Sequence, residues 1–188
     1  MGKRYDDLND EEIFTLAMST PACKQKPFFS MVLSYSTHQP YRTPVDDSFT
    51  LEAPKYSVPL KNYLIACHYT DMWLKKYVDY LKSEGVYNRS LIIVTADHHA
   101  HLDALGIKDE GMKELPLFII HGDINNHTAW HGKMNQLDIF TTVMDLLCIE
   151  NNWHGLGHTI LNPNYKNSLT EHAWVISEQI IKGRFFER

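Results

Sequence analysis

The sequence predicts an α/β fold in which a parallel-rich sheet is sandwiched by helices. Three observations support this prediction. Three continuous apolar runs have the length of buried strands, and amphipathic helix patterns lie between and after them. Of the 188 residues, 44% are hydrophobic and 22% are charged, which is the balance of a chain that folds around a core. Strands that alternate with helices in this way are typical of a parallel sheet covered on both faces.

The first element is a short helix that begins at Asn9 or Asp10 and ends before Pro21. Its inward face is expected to hold three apolar residues, Ile13, Leu16 and Ala17. Residues 28–35 are the first apolar run and predict a strand buried on both faces. Four prolines and several acidic residues within residues 39–59 predict a long loop.

The clearest helix pattern covers residues 60–83 and is closed by Gly85. Its inward stripe is expected to comprise Leu60, Tyr63, Leu64, Cys67, Leu74, Tyr77, Val78 and Leu81. Residues 90–96 and 115–121 predict the second and third strands, with a short, weak helix between them.

Two elements close the sequence. Residues 136–148 predict a helix whose inward residues are Leu137, Phe140, Val143, Met144 and Leu147. Apolar pairs within residues 173–186 fit either an edge hairpin or a helix, and the sequence does not separate the two.

Charge and motif content argue against several classes of protein. The formal net charge is −5 and no long basic stretch occurs, whereas nucleic-acid binders present a basic face. No apolar run reaches the ~18 residues of a membrane span, and no leader pattern is present. Cys23, Cys67 and Cys148 lack the spacing of a disulfide scaffold or a zinc ribbon. Cys67 and Cys148 lie among apolar residues and are expected to pack in the core.

Eleven histidines are the unusual feature of the composition, and several of them follow predicted strands. His38 comes after the first strand, and Asp97 to His101 come after the second. His121 ends the third strand, and His127 and His131 follow it. Because the carboxyl ends of parallel strands meet at one edge of a sheet, we expect these side chains to converge there.

Asp97 and His98 are the strongest local indication of a functional site. A carboxylate and an imidazole directly after a buried strand can both turn toward one divalent ion. The alternative is a helix cap beside a solvated histidine. His99, His101 and His131 are weaker candidates for residues that orient a ligand or contact substrate, and simple solvent exposure explains His99 and His101 equally well. His38 is a second candidate, with a loop histidine bonded to nearby backbone as the alternative.

Five segments together resemble the carboxyl-terminal half of the sulfatase-like branch of the alkaline phosphatase superfamily. The first contains Ser36-Thr-His38-Gln-Pro-Tyr41 and the second ends on Asp97-His98. The segments are residues 26–41, 68–98, 114–121, 136–147 and 155–161. The histidine motif of the first segment is more similar to the lipoteichoic acid synthase and phosphoglycerol transferase group than to arylsulfatases. His99 agrees with this, since sulfatases usually have glycine after the Asp-His pair.

The resemblance implies a divalent metal ion held by Asp97 and His98, and a substrate-binding role for His38. It leaves the ion open among Mn²⁺, Mg²⁺, Zn²⁺ and Ca²⁺. It implies a phosphate- or sulfate-ester substrate, possibly lipid-linked, and a parent enzyme at a bacterial membrane with its catalytic domain outside the cytoplasm. The family's nucleophile and a further acidic metal ligand belong to its first half, so this chain is expected to lack the nucleophile and to be inactive alone.

The resemblance covers residues 26–161, and residues 162–188 are expected to form a carboxyl-terminal edge segment of the same catalytic domain. A partial domain of this kind would expose apolar surface, which predicts self-association or marginal stability of the isolated chain. Two other functions stay open: a phosphoesterase of the Asp-His-His type, which lacks its expected upstream ligands here, and a non-catalytic metal- or partner-binding module.

Overall fold

The computed structural model describes residues 8–20, 27–44, 49–52, 55–108, 114–122, 129–130, 132–150, 155–167 and 173–184. The chain divides into two compact units, Met1–His127 and Thr128–Arg188. The first unit contains helices α1 (Asp10–Ser19) and α2 (Val58–Ser83) and strands β1 (Leu91–Thr95) and β2 (Leu117–His121). The second contains helices α3 (Leu137–Leu146) and α4 (Ala173–Lys182).

Helix α1 begins with a capping box, which confirms the predicted start. The Asn9 side chain accepts a hydrogen bond from the Glu12 backbone at 3.1 Å, and the Glu12 carboxylate accepts one from the Asn9 backbone at 3.2 Å. Ile13 is buried as expected, but Leu16 is 62% exposed. The neighbouring Phe14 takes the inward position instead, because the buried face of α1 is rotated toward it.

Helix α2 has a cap at each end, formed by residue types that favour these positions. Ser57 accepts a hydrogen bond from the Leu60 backbone at 3.3 Å. At the other end Gly85 has a φ of +66°, and the Val86 N–H donates to the Leu81 carbonyl at 3.0 Å. This is a Schellman motif, and both Leu81 and Val86 are buried, as that motif favours.

The core of the first unit is aromatic. It consists of Phe14, Tyr69, Trp73, Tyr77, Leu81 and Val86. The buried stripe of α2 therefore has the predicted period but lies on a different face, sharing only Tyr77 and Leu81 with the expected one. The expectation favoured aliphatic residues, whereas the large rings of Tyr69 and Trp73 bury more apolar surface.

The two strands pair antiparallel, so the predicted parallel sheet is wrong for them. Leu91 lies opposite His121 and Thr95 lies opposite Leu117. A parallel crossover normally contains an α-helix, but the described part of the connection between β1 and β2 contains only a 3₁₀ turn, Leu102–Leu105. The weak helix pattern seen between these strands corresponds to that turn.

The predicted first strand is also wrong, because residues 28–35 do not form a strand. The segment has an inner and an outer side: Phe28 and Val32 pack against the core, while Phe29 is 88% exposed and Met31 is exposed as well. A strand buried on both faces needs neighbours in a sheet, and the sheet formed by the described residues contains only β1 and β2.

In the second unit the tail is a helix, α4, which settles the choice between hairpin and helix. Helix α3 lies where a helix was predicted, but Asp138 and Thr142 are its buried residues. Leu137, Phe140 and Leu147 were expected inside and are exposed, because the segment 155–167 contacts α3 through the polar stripe. Cys148 is exposed and Cys67 only half-buried, so core packing is wrong for Cys148.

Within the described residues, no helix combines the length and the hydropathy needed to cross a membrane.

Candidate functional site

Asp97 and His98 lie directly after β1, and their side chains are adjacent. The Asp97 Oδ1 accepts a hydrogen bond from the His98 backbone at 2.8 Å, and its Oδ2 lies 3.7 Å from the His98 Nε2. Both side chains are exposed. The end of the strand is held by Thr95, whose hydroxyl donates to the Pro116 carbonyl at 2.9 Å across the ladder. Since the sheet fixes this backbone, the pair needs little further ordering to meet a ligand.

The imidazole of His98 has one nitrogen engaged and one available. Its Nδ1 lies 2.8 Å from the His99 carbonyl, which orients the ring and leaves Nε2 beside Asp97. An imidazole with one nitrogen bonded to a carbonyl and the other presented outward is the usual state of a metal-binding histidine.

His101 is the third side chain of this group. Its ring centroid lies 5.4 Å from that of His98, at a 43° interplanar angle. His101 precedes the 3₁₀ turn Leu102–Leu105, which fixes its backbone. His99 is half-buried, with its Nδ1 2.9 Å from the Ala100 carbonyl. His98 thus lies next to both Asp97 and His101.

His38 lies at the tip of a structured loop. The His38 N–H donates to the Tyr35 carbonyl at 2.9 Å, and the Tyr41 N–H donates to the His38 carbonyl at 2.8 Å. The ring stacks on Tyr35 with 4.9 Å between centroids, and its Nδ1 lies 2.7 Å from the Gln39 carbonyl. His38 is exposed, so its Nε2 is the nitrogen that can meet a ligand.

The His38 loop is anchored by Asp10, a role that the sequence did not suggest. Asp10 is fully buried, and its Oδ1 accepts hydrogen bonds from the backbone of Tyr35 at 2.7 Å and of Ser36 at 3.0 Å. Its Oδ2 accepts one from the Thr70 hydroxyl at 2.5 Å, which ties the loop to α2. The only signal in the sequence was an acidic residue at a helix start, which equally suits a simple cap.

The expected convergence of three strand ends does not form, because β1 and β2 run in opposite directions. His121 lies opposite Leu91, at the far end of the pair from Asp97. Four residues of strand separate the two ends by roughly 13 Å. His127 and His131 lie outside the described residues. His68 stacks on Phe49 with 3.9 Å between the ring centroids.

In the part of the chain that the structure describes, Asp97 and His98 are a pair and not part of a larger group of metal-ligand side chains. Among the residues that the structure describes, no group of three or more histidine, cysteine or acidic side chains is placed to hold a metal ion. The chemistry of Asp97 and His98, one carboxylate oxygen and one imidazole nitrogen, fits a divalent ion as part of a coordination sphere.

Comparison with known proteins identifies the family of this chain. The family model described as Sulfatase matches residues 3–149, which include His38, Asp97 and His98. The chain belongs to the sulfatase family. The resemblance inferred from the sequence motifs is therefore confirmed.

Curated relatives that match the chain include two lipoteichoic acid synthases and a synthase-like protein. Lipoteichoic acid synthase 2 of Bacillus subtilis is 23% identical over 76% of this chain and 24% of its own length. A lipoteichoic acid synthase-like protein of the same organism is 29% identical over 76% of this chain and 26% of its own. Lipoteichoic acid synthase of Staphylococcus saprophyticus is 22% identical over 86% and 27%, respectively. The chain spans about a quarter of the length of these relatives. No solved structure matches it significantly.

Proposed function

We propose that this chain contributes part of the catalytic domain of a metal-dependent transferase or hydrolase of phosphate or sulfate esters. A phosphoglycerol- or phosphoethanolamine-type transfer is the favoured reaction, because the motif that contains His38 resembles that of the phosphoglycerol transferase group; relatives named lipoteichoic acid synthase support this choice. The observation that carries the proposal is the pair Asp97 and His98, exposed and 3.7 Å apart at the end of β1, inside the region matched by the Sulfatase model.

Asp97 and His98 would hold the metal ion. In a metal site, two adjacent ligands at about 2.1 Å from the ion lie roughly 3 to 3.5 Å apart, so the observed 3.7 Å needs only a small adjustment. Mn²⁺, Zn²⁺, Mg²⁺ and Ca²⁺ all accept a carboxylate ligand, and the imidazole favours Mn²⁺ and Zn²⁺ among them. When bound, such an ion acts as a Lewis acid toward the phosphoryl or sulfuryl oxygens.

His38 would bind the ester group of the substrate. Its Nδ1–H donates to the Gln39 carbonyl, so Nε2 carries a second proton only in the imidazolium form; that Nε2–H would be directed outward and would donate to a phosphate or sulfate oxygen. The Asp10 anchor holds the loop in this conformation. His99 and His101 are placed beside the pair and would orient the ligand or contact substrate.

The nucleophile and the remaining metal ligands would come from sequence outside this chain. This is supported by the quarter share of the relatives that the chain spans. Within the described residues, Asp97 and His98 have no third ligand beside them. The chain alone would then bind metal weakly and catalyse nothing. The parent enzyme would act on a lipid-linked substrate at the outer face of a bacterial membrane.

Manganese binding tests this proposal. The free Mn²⁺ signal in electron paramagnetic resonance is expected to fall when the chain is added, and Asp97→Asn should weaken binding by about tenfold or more. Asp71→Asn, which removes an exposed carboxylate from the middle of α2, is the matched control and should leave binding unchanged. Equal binding by wild type and Asp97→Asn would contradict the metal assignment. Turnover of 4-nitrophenyl phosphate or sulfate by the chain alone would contradict the proposal that the nucleophile lies outside this chain.

A further inference from the structure

The second unit contains a cavity of about 400 Å³ that no proposed role accounts for. Its lining includes two aromatic side chains, Trp130 and Tyr165, two amides, Asn162 and Asn167, and one cation, Lys133. The volume falls within the range of small-molecule sites. The lining belongs wholly to the unit Thr128–Arg188 and includes neither Asp97 nor His98.

The aromatic wall of the cavity is held in place by its surroundings. The rings of Trp130 and Tyr165 meet edge to face with 5.4 Å between centroids. The Tyr165 hydroxyl donates to the buried Asp138 carboxylate at 2.6 Å, which fixes the tyrosine. Gly132 leaves room for the indole, because a Cβ there would collide with the Trp130 ring. Trp130 is nevertheless 43% exposed, so the wall is open to a ligand.

The polar groups around this wall include unused donors. The Asn167 Oδ1 accepts a hydrogen bond from Asn135 at 2.8 Å, which orients that amide. The Asn162 Oδ1 accepts one from the Asn164 backbone at 2.9 Å, and its Nδ2 donates none within the described residues. Lys133 is exposed and forms no ion pair with a carboxylate in the described part of the chain. The cavity thus offers an amide donor and the positive charge of Lys133.

We propose that this cavity binds a sugar ring that carries an acidic group. The apolar C–H face of a sugar can lie on an indole or phenol ring, while its hydroxyl groups need amide partners such as those of Asn162 and Asn167. Lys133 at the same cavity adds a charge-assisted hydrogen bond to an acidic substituent. A neutral sugar would use the wall and the amides but leave the lysine without a partner.

Three probes separate the contributions of ring and charge: glucuronate, glucose and acetate. Titration of the full chain is followed by the nuclear magnetic resonance signal of the Trp130 indole, assigned by its loss in Trp130→Phe. Glucuronate should shift this signal saturably and bind about fivefold more tightly than glucose. Acetate should not shift it. Equal shifts with acetate and glucuronate, or no saturable shift with glucuronate, would overturn the proposal.

Variants locate the binding to the cavity. Lys133→Gln should bind glucuronate about fivefold more weakly than wild type does, so that its affinity for glucuronate equals its affinity for glucose. Lys166→Gln removes the same charge from an exposed residue outside the lining, so its binding should equal that of wild type. Gly132→Ala should weaken the binding of both sugars, because the added Cβ displaces the Trp130 indole without removing it. Equal losses in Lys133→Gln and Lys166→Gln, or full binding by Gly132→Ala, would overturn the assignment.

Discussion

At the scale of single residues, Asp10 joins the His38 loop to helix α2. Its carboxylate is buried and accepts three hydrogen bonds, two from the backbone of the His38 loop and one from Thr70 on α2. A buried acceptor of this kind is stabilising only while all its partners are present. The position of His38 therefore depends on a residue 28 positions earlier in the sequence.

Replacing Asp10 by Ala should destabilise the fold by about 2 to 4 kcal/mol, since the backbone N–H groups of Tyr35 and Ser36 would lose their common acceptor. The free energy of unfolding, measured by urea titration, checks this. Asp79→Ala is the control: Asp79 is an exposed residue that pairs with Lys75, and its loss should change stability little. A similar small change in Asp10→Ala would show that the His38 loop does not depend on this carboxylate.

The tyrosines of α2 predict a pH dependence. Burial raises the pKa of Tyr69 to about 12, with a smaller contribution in the same direction from the Glu11 carboxylate that its hydroxyl contacts. The folded state thus favours the neutral phenol. The stabilisation is complete below the unfolded pKa of about 10 and is lost as the pH rises toward 12.

Absorbance of tyrosinate during an alkaline titration is the measurement. Burial also raises the pKa of Tyr63 to about 12, so a late phase from both tyrosines is expected. Tyr69→Phe should reduce that phase. An unchanged late phase in Tyr69→Phe would contradict the burial of Tyr69.

At the scale of elements, the helices could be predicted from the sequence because their signals are local. Asn9 with Glu12, Ser57, and Gly85 each form the cap that their residue types favour. Which face of a helix is buried was not predictable, since that depends on partners distant in sequence. Helix α2 buries Tyr69 and Trp73 because Phe14 of α1 packs there, and helix α3 buries Asp138 because His158 and Tyr165 bond to it.

The cap of α2 gives a prediction at this scale. Gly85 has a φ of +66°, and a Cβ added at this position would meet no other atom within 4 Å, so Gly85→Ala carries a conformational cost alone. That cost is expected to be about 1 kcal/mol. Gly85→Asn should cost less, because asparagine tolerates the left-handed conformation. Thermal unfolding of both variants checks the order, and an alanine variant as stable as wild type would contradict the Schellman cap.

At the scale of the whole molecule, the sequence predicted the family but not the pairing of the strands. Direction is not encoded in an apolar run, so residues 91–95 and 117–121 fit parallel and antiparallel pairing equally well. The Asp97-His98 pair could be predicted because a strand and two adjacent residues suffice for it. Whether the histidines at the three predicted strand ends meet could not be predicted, since that depends on the directions of all three strands.

Apolar surface is the other feature of the whole molecule. Phe29, Met31 and Phe118 are exposed in the first unit, and Phe140, Leu147 and Ile149 in the second. Large exposed apolar side chains in such numbers are typical of surfaces that contact further protein. Self-association stays a prediction, as does the further sequence that would complete the catalytic domain.

The central claim is that Asp97 and His98 form a metal centre, and paramagnetic broadening by Mn²⁺ tests it most directly. Mn²⁺ is added far below one equivalent, and the histidine imidazole signals are compared before and after. We expect His98 and His101 to broaden first, with His121, at the far end of the strand pair, much less affected. Asp97→Asn should abolish this difference. Broadening that begins at His121 or His158, or that is unchanged in Asp97→Asn, would contradict the account.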